Sequence, residues 1–333
     1  MLKRLWILAL ASILCLGAFQ TAFAATSMKI AHGNIEDPAD PYQVLALKFK
    51  ELVEAANVGI EVEIFAGGQI GSENAAFQDV QTNIIQACVL ASNNVSGFAT
   101  SYSALDLPFL FTSIQDFEKV LKDNEEDLIR VMVAESDVRP VAWGAQGFRV
   151  LSNSKKPVKT LADLHGLKIR LPNNAIQLAT FRAWGSDAVP MAFGELFGAL
   201  QQGVVDGLEM TYISLAQLKY YEVQKYVTDL RYKLAINPLV VSEMWFEELT
   251  PEQQKSIIEA GRGATAHALA ASVGMDTEGM RILAEKGVVL DGRPADEAEW
   301  IAKSRAIWPD YYHLIKDQKL LDGILASLNI KKP

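Results

Sequence analysis

Two arginines carry the most specific chemistry in this sequence. Each stands in a short, strand-like, weakly charged segment: Gly147-Phe148-Arg149-Val150-Leu151 and Gly166-Leu167-Lys168-Ile169-Arg170-Leu171-Pro172. A guanidinium stays charged and presents a planar fork of donors that matches a carboxylate. Two of them facing one cleft would hold an organic anion. The competing reading is an exposed arginine, or one paired with a nearby Asp or Glu, the ordinary fate of the residue. Asn34, Asn93, Asn94, Asn173 and Asn237 fall at ends of expected strands or helices, where ligands collect in α/β lobes. An amide offers both donor and acceptor. For Asn34 and Asn174 a cap or turn role is the better reading.

Signatures of catalysis are scarce. The sequence has no G-x-S-x-G, H-E-x-x-H, Walker loop or C-x-x-C. Gly261-Arg262-Gly263 looks like part of a dinucleotide loop but falls inside a helical stretch and follows no strand. The four histidines (His32, His165, His267, His313) are scattered, and no Cys/His group has metal-ligand spacing. The expectation is recognition without catalysis, cofactor or metal.

The chain starts like an export signal: basic Lys3-Arg4, an apolar run over 5–19, and the small-x-small site Ala22-Phe23-Ala24. The run is too short to span a bilayer comfortably, so cleavage after Ala24 and a periplasmic location are expected. Bulky Leu14 before Cys15 argues against a lipoprotein. Losing Lys3 and Arg4 takes the formal net charge from −9 to −11. Such a chain repels nucleic acid and anionic membrane, so an anion receptor here needs local, buried positive charge. Cys88, left alone after cleavage, lies in the apolar run Ala87-Cys88-Val89-Leu90 and reads as a small buried hydrophobe. The remaining length, about 309 residues, exceeds what one core ordinarily supports, so two lobes are expected.

Short strand-like runs alternate with amphipathic helical stretches, the pattern of an α/β fold. Strands are expected over 28–32, 60–65, 87–90, 141–151 and 167–170. Asp40-Pro41 and Ser72 start helices, and another begins at Asn173 or Asn174. The proline-interrupted Leu107-Pro108-Phe109-Leu110-Phe111 reads as a packed crossing segment. Thr250-Pro251-Glu252-Gln253 is a capping box with no proline after it until beyond Gly287. That allows one helix of roughly 36 residues, about 54 Å long, running along both lobes. The alternative is two helices broken near Gly274. No flexible linker separates the lobes, which suits crossing strands and hinge closure.

These segments, in order, resemble the extracytoplasmic solute receptors of TRAP transporters, of the dicarboxylate-receptor type. The resemblance covers essentially the whole mature sequence: Asp40-Pro41-Tyr42, Phe65-Ala66-Gly67-Gly68-Gln69-Ile70-Gly71, Leu107 to Phe111, Gly147-Phe148-Arg149, the Asp163 to Pro172 stretch, Val189-Pro190-Met191-Ala192-Phe193, and Ala199 to Glu209. It implies a two-lobed periplasmic-binding-protein fold with a cleft between lobes, hinge strands and the long helix. Lobe I would comprise 25–147 and about 238–275, lobe II 148–237 and about 276–333. It implies that Arg170 pairs with the ligand carboxylate and that Arg149 is a second anion contact. Asn173 matches a polar contact, residues 91–94 match the loop reading the rest of the ligand, including Asn93 and Asn94, and Phe193 matches an aromatic lining position.

Three departures qualify this. Members usually read G-Q-E-N where this chain has Gly207-Leu208-Glu209-Met210, so Met210 replaces an amide. Ala91 stands where sugar-acid receptors carry a carboxylate, and Tyr232 where a histidine is common. Unmatched hydroxyls in an apolar pocket cost roughly 1–3 kcal/mol each, so a carboxylate with an apolar or aromatic body is expected over a sialic-acid-like polyol. The implied function is capture of an organic acid for TRAP membrane subunits, with no nucleic-acid partner and no membrane-embedded part once mature. The alternatives are a sensor that presents ligand to a membrane receptor and, less favoured, an exported enzyme acting on an organic anion.

Overall fold

The computed structural model describes residues 26–332; the expected export segment, 1–24, lies outside them. The described strands are β1 (Thr26–His32), β2 (Ile60–Phe65), β3 (Ala87–Val89), β4 (Val138–Asn153), β5 (Lys168–Leu171), β6 (Asp187–Pro190), β7 (Gly207–Thr211), β8 (Tyr226–Thr228), β9 (Leu234–Ser242) and β10 (Val289–Leu290). They form one path, β2-β1-β3-β9-β4-β7-β5-β6, with β8 also on β4 and β10 on β8.

β4 joins the two halves of this sheet. From Val138 to Phe148 it pairs antiparallel with β9, and from Arg149 to Asn153 with β7. The register slips between Ala145 and Phe148, where Gly147 has φ +89°. A Cβ at Gly147 would come within 2.1 Å of Asp276 Oδ1, so only glycine fits there without strain.

The helices that frame the site are α1 (Pro41–Ala55), α2 (Glu73–Gln81), α3 (Ile114–Ser136), α4 (Ala175–Ala183), α5 (Tyr212–Gln217), α6 (Pro251–Ser272), α7 (Met275–Glu285) and α8 (Gln318–Ser327). The expected caps form: Asp40 accepts from the Tyr42 and Gln43 amides, and Ser72 from Ala75. In the first half α1 and α6 bury Leu45, Phe49, Ile257 and Ala264 against Met28, Ile30 and Leu239. On its other face α3 and α8 bury Phe117, Leu128, Leu321 and Ile324 against Trp143 and Val240. In the second half Phe181 and Trp184 pack on Leu151, Ile169 and Leu171, and Tyr212, Leu215 and Leu283 pack on Val150 and Leu208. Helices thus cover both faces of both halves, a two-lobed arrangement.

Two expectations change. The stretch after Thr250 is two helices, α6 and α7, broken at Val273-Gly274. It still runs over both halves, because α6 packs on α1 and β4 while α7 packs on α5. The C-terminal stretch from Trp308, expected in the second lobe, returns to the first. Trp308, Ile315 and the apolar face of α8 join the core beneath α3, and Trp308 Nε1 donates to Pro108 O at 3.2 Å. Residues 107–111 form no strand, as read; Phe109 alone dips into the second half, its amide donating to Tyr232 O at 2.6 Å.

Candidate ligand-binding site

Arg170 is next to last in β5 and only 4 % exposed. Its Nε and Nη2 donate to Met191 O at 2.9 and 2.7 Å. No carboxylate among the described residues reaches it within ion-pair distance. One edge of the fork is therefore spent on a neutral carbonyl, and the charge has no partner. Burial lowers its pKa to about 10, with Glu209 working to raise it and Arg149 to lower it. The group stays cationic at neutral pH and would gain from an anion.

Arg149 has a different environment. Its Nε donates to Glu209 Oε2, and its Nη2 to Glu209 Oε1 at 2.8 Å and Glu209 O at 3.2 Å. Glu209 is fully buried. Tyr232 donates its hydroxyl to Glu209 Oε2 at 2.9 Å, and Gln177 Nε2 donates to that hydroxyl at 2.9 Å. Burial opposes the Arg149 charge, but Glu209 outweighs it and holds the pKa above the ordinary arginine value. The paired-arginine alternative therefore describes Arg149, while Arg170 is the one left without an acid.

Strand register explains the difference. Arg149 pairs with Thr211 and Val150 with Met210, while Arg170 lies beside Leu208. Side chains alternate along a strand, so Arg149 and Glu209 share one sheet face as diagonal neighbours. Arg170, Leu208 and Met210 share the opposite face. The two guanidinium groups still influence each other's charge from opposite faces.

The first half supplies a wall of polar groups. Glu73, the first residue of α2, accepts from the Ala91 amide at 3.0 Å and from Asn94 Nδ2 at 2.6 Å. The Tyr42 hydroxyl lies beside it. Burial raises the Glu73 pKa, against the hydrogen bonds from Ala91, Asn94 and Tyr42 and the charge of Arg149. The sequence reading missed Glu73 and Tyr42. An acid just after a serine cap already has a complete explanation at a helix N-terminus, so nothing singled it out.

The other expected residues fall in varied places. Asn93 is buried, its Nδ2 donating to Asn94 Oδ1 at 3.2 Å. Asn173 is exposed. Phe193 is 41 % exposed, two residues beyond the carbonyl that holds Arg170. Met210 is buried on the Arg170 face. Tyr232, expected to shape the ligand body, sits behind Arg149 instead, fully buried and edge-on to Phe181 and Trp184. A phenol hydroxyl in that core needs a partner, and Glu209 is the acceptor within reach. Among the described residues no three His, Cys, Asp or Glu side chains converge to hold a metal ion.

Residues 32–314 match the DctP family, described as bacterial extracellular solute-binding protein, family 7. The chain belongs to that family. It is similar to the 2,3-diketo-L-gulonate-binding periplasmic protein YiaO of Escherichia coli K12, 28 % identical over 251 residues, 75 % of this chain and 76 % of that one. Among solved structures it resembles a TRAP periplasmic solute-binding protein from Rhodobacter sphaeroides in an apo open form, with 33 % identity and TM-score 0.78 over 91 % of this chain and 99 % of that one. A TRAP solute-binding protein from Bordetella bronchiseptica, with density assigned as pantoate, is 27 % identical, with TM-score 0.83 over 90 % and 98 % of the two chains. Both solved structures are described as TRAP periplasmic solute-binding proteins. Among the described residues no helix is long and apolar enough to cross a membrane.

Proposed function

We propose that this chain is an exported periplasmic receptor that closes two lobes over a small carboxylate and delivers it, unchanged, to TRAP membrane subunits. Among the described residues, lobe I comprises 26–147, about 238–275 and the returning stretch from 308; lobe II comprises 148–237 and 276–307. The carrying observation is Arg170, buried and without an acid partner. It forms the principal contact to the ligand carboxylate, with Arg149 adding field from the other sheet face. Met210 and Phe193 supply apolar surface beside Arg170. Glu73, Asn93, Asn94 and Asn173 supply acceptors and donors for a hydroxyl or keto oxygen at the far end. That combination suits an oxygenated acid with an apolar flank. Pantoate and 2,3-diketo-L-gulonate, named for the similar proteins, bracket the range.

A thermal-shift screen of carboxylates spanning branched hydroxy acids, keto sugar acids, uronates and aryl acids tests the class, since a ligand that binds the folded state raises its apparent stability. Calorimetry with the best hit then compares wild type with Arg170→Ala and Arg170→Lys. Truncating one partner of a buried charge pair costs about 2–5 kcal/mol. Arg170→Ala should therefore bind roughly thirty-fold to several-thousand-fold more weakly, with Arg170→Lys between. Wild-type affinity in Arg170→Ala would refute the reading. Mass spectrometry showing a chemically altered ligand after incubation would instead point to an enzyme.

A further inference from the structure

A second polar cluster lies between the halves, apart from the arginines. Asp106, fully buried at the end of the 3-10 turn Thr100–Asp106, accepts from Lys233 Nζ at 2.5 Å on Oδ1. Its Oδ2 accepts from Ser96 Oγ at 2.8 Å and from Asn174 Nδ2 at 2.7 Å. Asn174 is 5 % exposed and belongs to the second half as the N-cap of α4, its Oδ1 accepting the Gln177 amide at 3.0 Å. Its Nδ2 reaches the first half, donating also to Ser96 Oγ at 3.0 Å and Asn93 O at 3.2 Å.

The two ends of one amide thus serve different halves. Capping uses only the oxygen, and Ser, Thr or Asp would supply it. The nitrogen's three contacts go beyond what the helix requires. The network also continues to the arginine strand: Lys233 leads into β9, and its carbonyl accepts the Arg149 amide at 2.8 Å. Lys233 is held below its usual pKa by burial, against the attraction of Asp106. The charged groups facing Asn174 are Asp106, from the 3-10 turn, and Lys233, from the segment before β9. Arg149 of β4 and Glu209 of β7 act on Lys233 from further away.

We propose that the Asn174 amide nitrogen is a latch between the lobes. It holds the loop carrying Asn93 and Ser96 against the half carrying Arg149 and Arg170, and so sets the separation at which ligand is gripped. Asn174 is a positioning residue: it acts through Asn93 and Asp106 without touching solute. The latch does not depend on which acid is bound, so its test needs no ligand.

Small-angle scattering of the ligand-free protein compares wild type with Asn174→Asp and Asn174→Ser. Both variants keep an oxygen to cap α4, and both lose the amide nitrogen that reaches Asp106, Ser96 and Asn93. Asn174→Asp adds a carboxylate facing Asp106, and two buried acids share a proton more readily as pH falls. A compact chain of this length has a radius of gyration of roughly 19 Å, and lobe separation should raise it. The expected result is that increase for Asn174→Asp at pH 8, shrinking toward wild type at pH 5. Asn174→Ser should show an increase at both values. If Asn174→Asp does not fold, Asn174→Ser decides. Wild-type dimensions in both variants at both pH values overturn the latch, as does a pH-independent increase in Asn174→Asp with Asn174→Ser unchanged.

Discussion

Arg149 and Arg170 share a residue type and a strand setting, yet their surroundings assign them opposite effects on stability. Removing Glu209 leaves the Arg149 charge buried without its partner, which typically costs about 3–5 kcal/mol. Glu209→Gln should lower the urea midpoint accordingly. Arg170→Ala removes a buried cation that has no acid partner, so its midpoint should hold or rise while binding collapses. Tyr232→Phe deletes the hydroxyl between Glu209 and Gln177 and should cost about 1–2 kcal/mol; ligand affinity is the control. The sequence made both arginines legible as candidates because their type and strand setting are local properties. It did not reveal which one is paired. Glu209 is 60 residues from Arg149, and only the β4–β7 register decides that they share a face. The direction of the Tyr232 side chain was hidden for the same reason, since it depends on a contact 23 residues back in the chain.

At the level of elements, local chemistry was largely readable and packing was not. The caps at Asp40, Ser72 and Thr250 form as their motifs indicate. Burial raises the Asp40 carboxyl to a pKa of about 6, against the Gln43 and Tyr42 amides. The folded state therefore holds that proton more tightly than the unfolded chain, and stability from this group is lost as pH rises through about 6. Asp40→Asn keeps a capping oxygen without the buried charge. Its melting temperature relative to wild type should rise between pH 4 and pH 7; a flat or falling difference would contradict this. Helix propensity alone scores the glycines of the α6–α7 stretch alike, but each has its own surroundings. A Cβ at Gly261 would meet Val141 O at 1.9 Å, whereas at Gly274 nothing lies within 4 Å. Gly261→Ala should destabilise strongly despite better helix propensity. Gly274→Ala should be neutral or gain up to about 1 kcal/mol. Calorimetric melts of the two variants would show the contrast.

At the scale of the molecule, the α/β alternation and the absence of a linker foretold two connected lobes. The return of the chain from Trp308 to the first lobe was not legible, because an amphipathic helix such as α8 carries no label for the core it joins. The β4 crossing makes a mechanical point of Gly147, packed against Asp276. Gly147→Ala forces a positive φ and a clash, and should cost about 1–3 kcal/mol. Adding Asp276→Ala should recover the part due to the clash, measured as a double-mutant cycle in thermal unfolding.

The unequal pairing of the arginines also sets the valence of the solute. Arg149 and Glu209 cancel, which leaves Arg170 as the buried cation without an acid partner. A single carboxylate supplies that partner. A second one would have no counter-ion, at a desolvation cost of several kcal/mol. In competition calorimetry a mono-acid should displace its equally long di-acid analogue, and the gap should narrow as the solution is acidified toward the second ionisation of the di-acid.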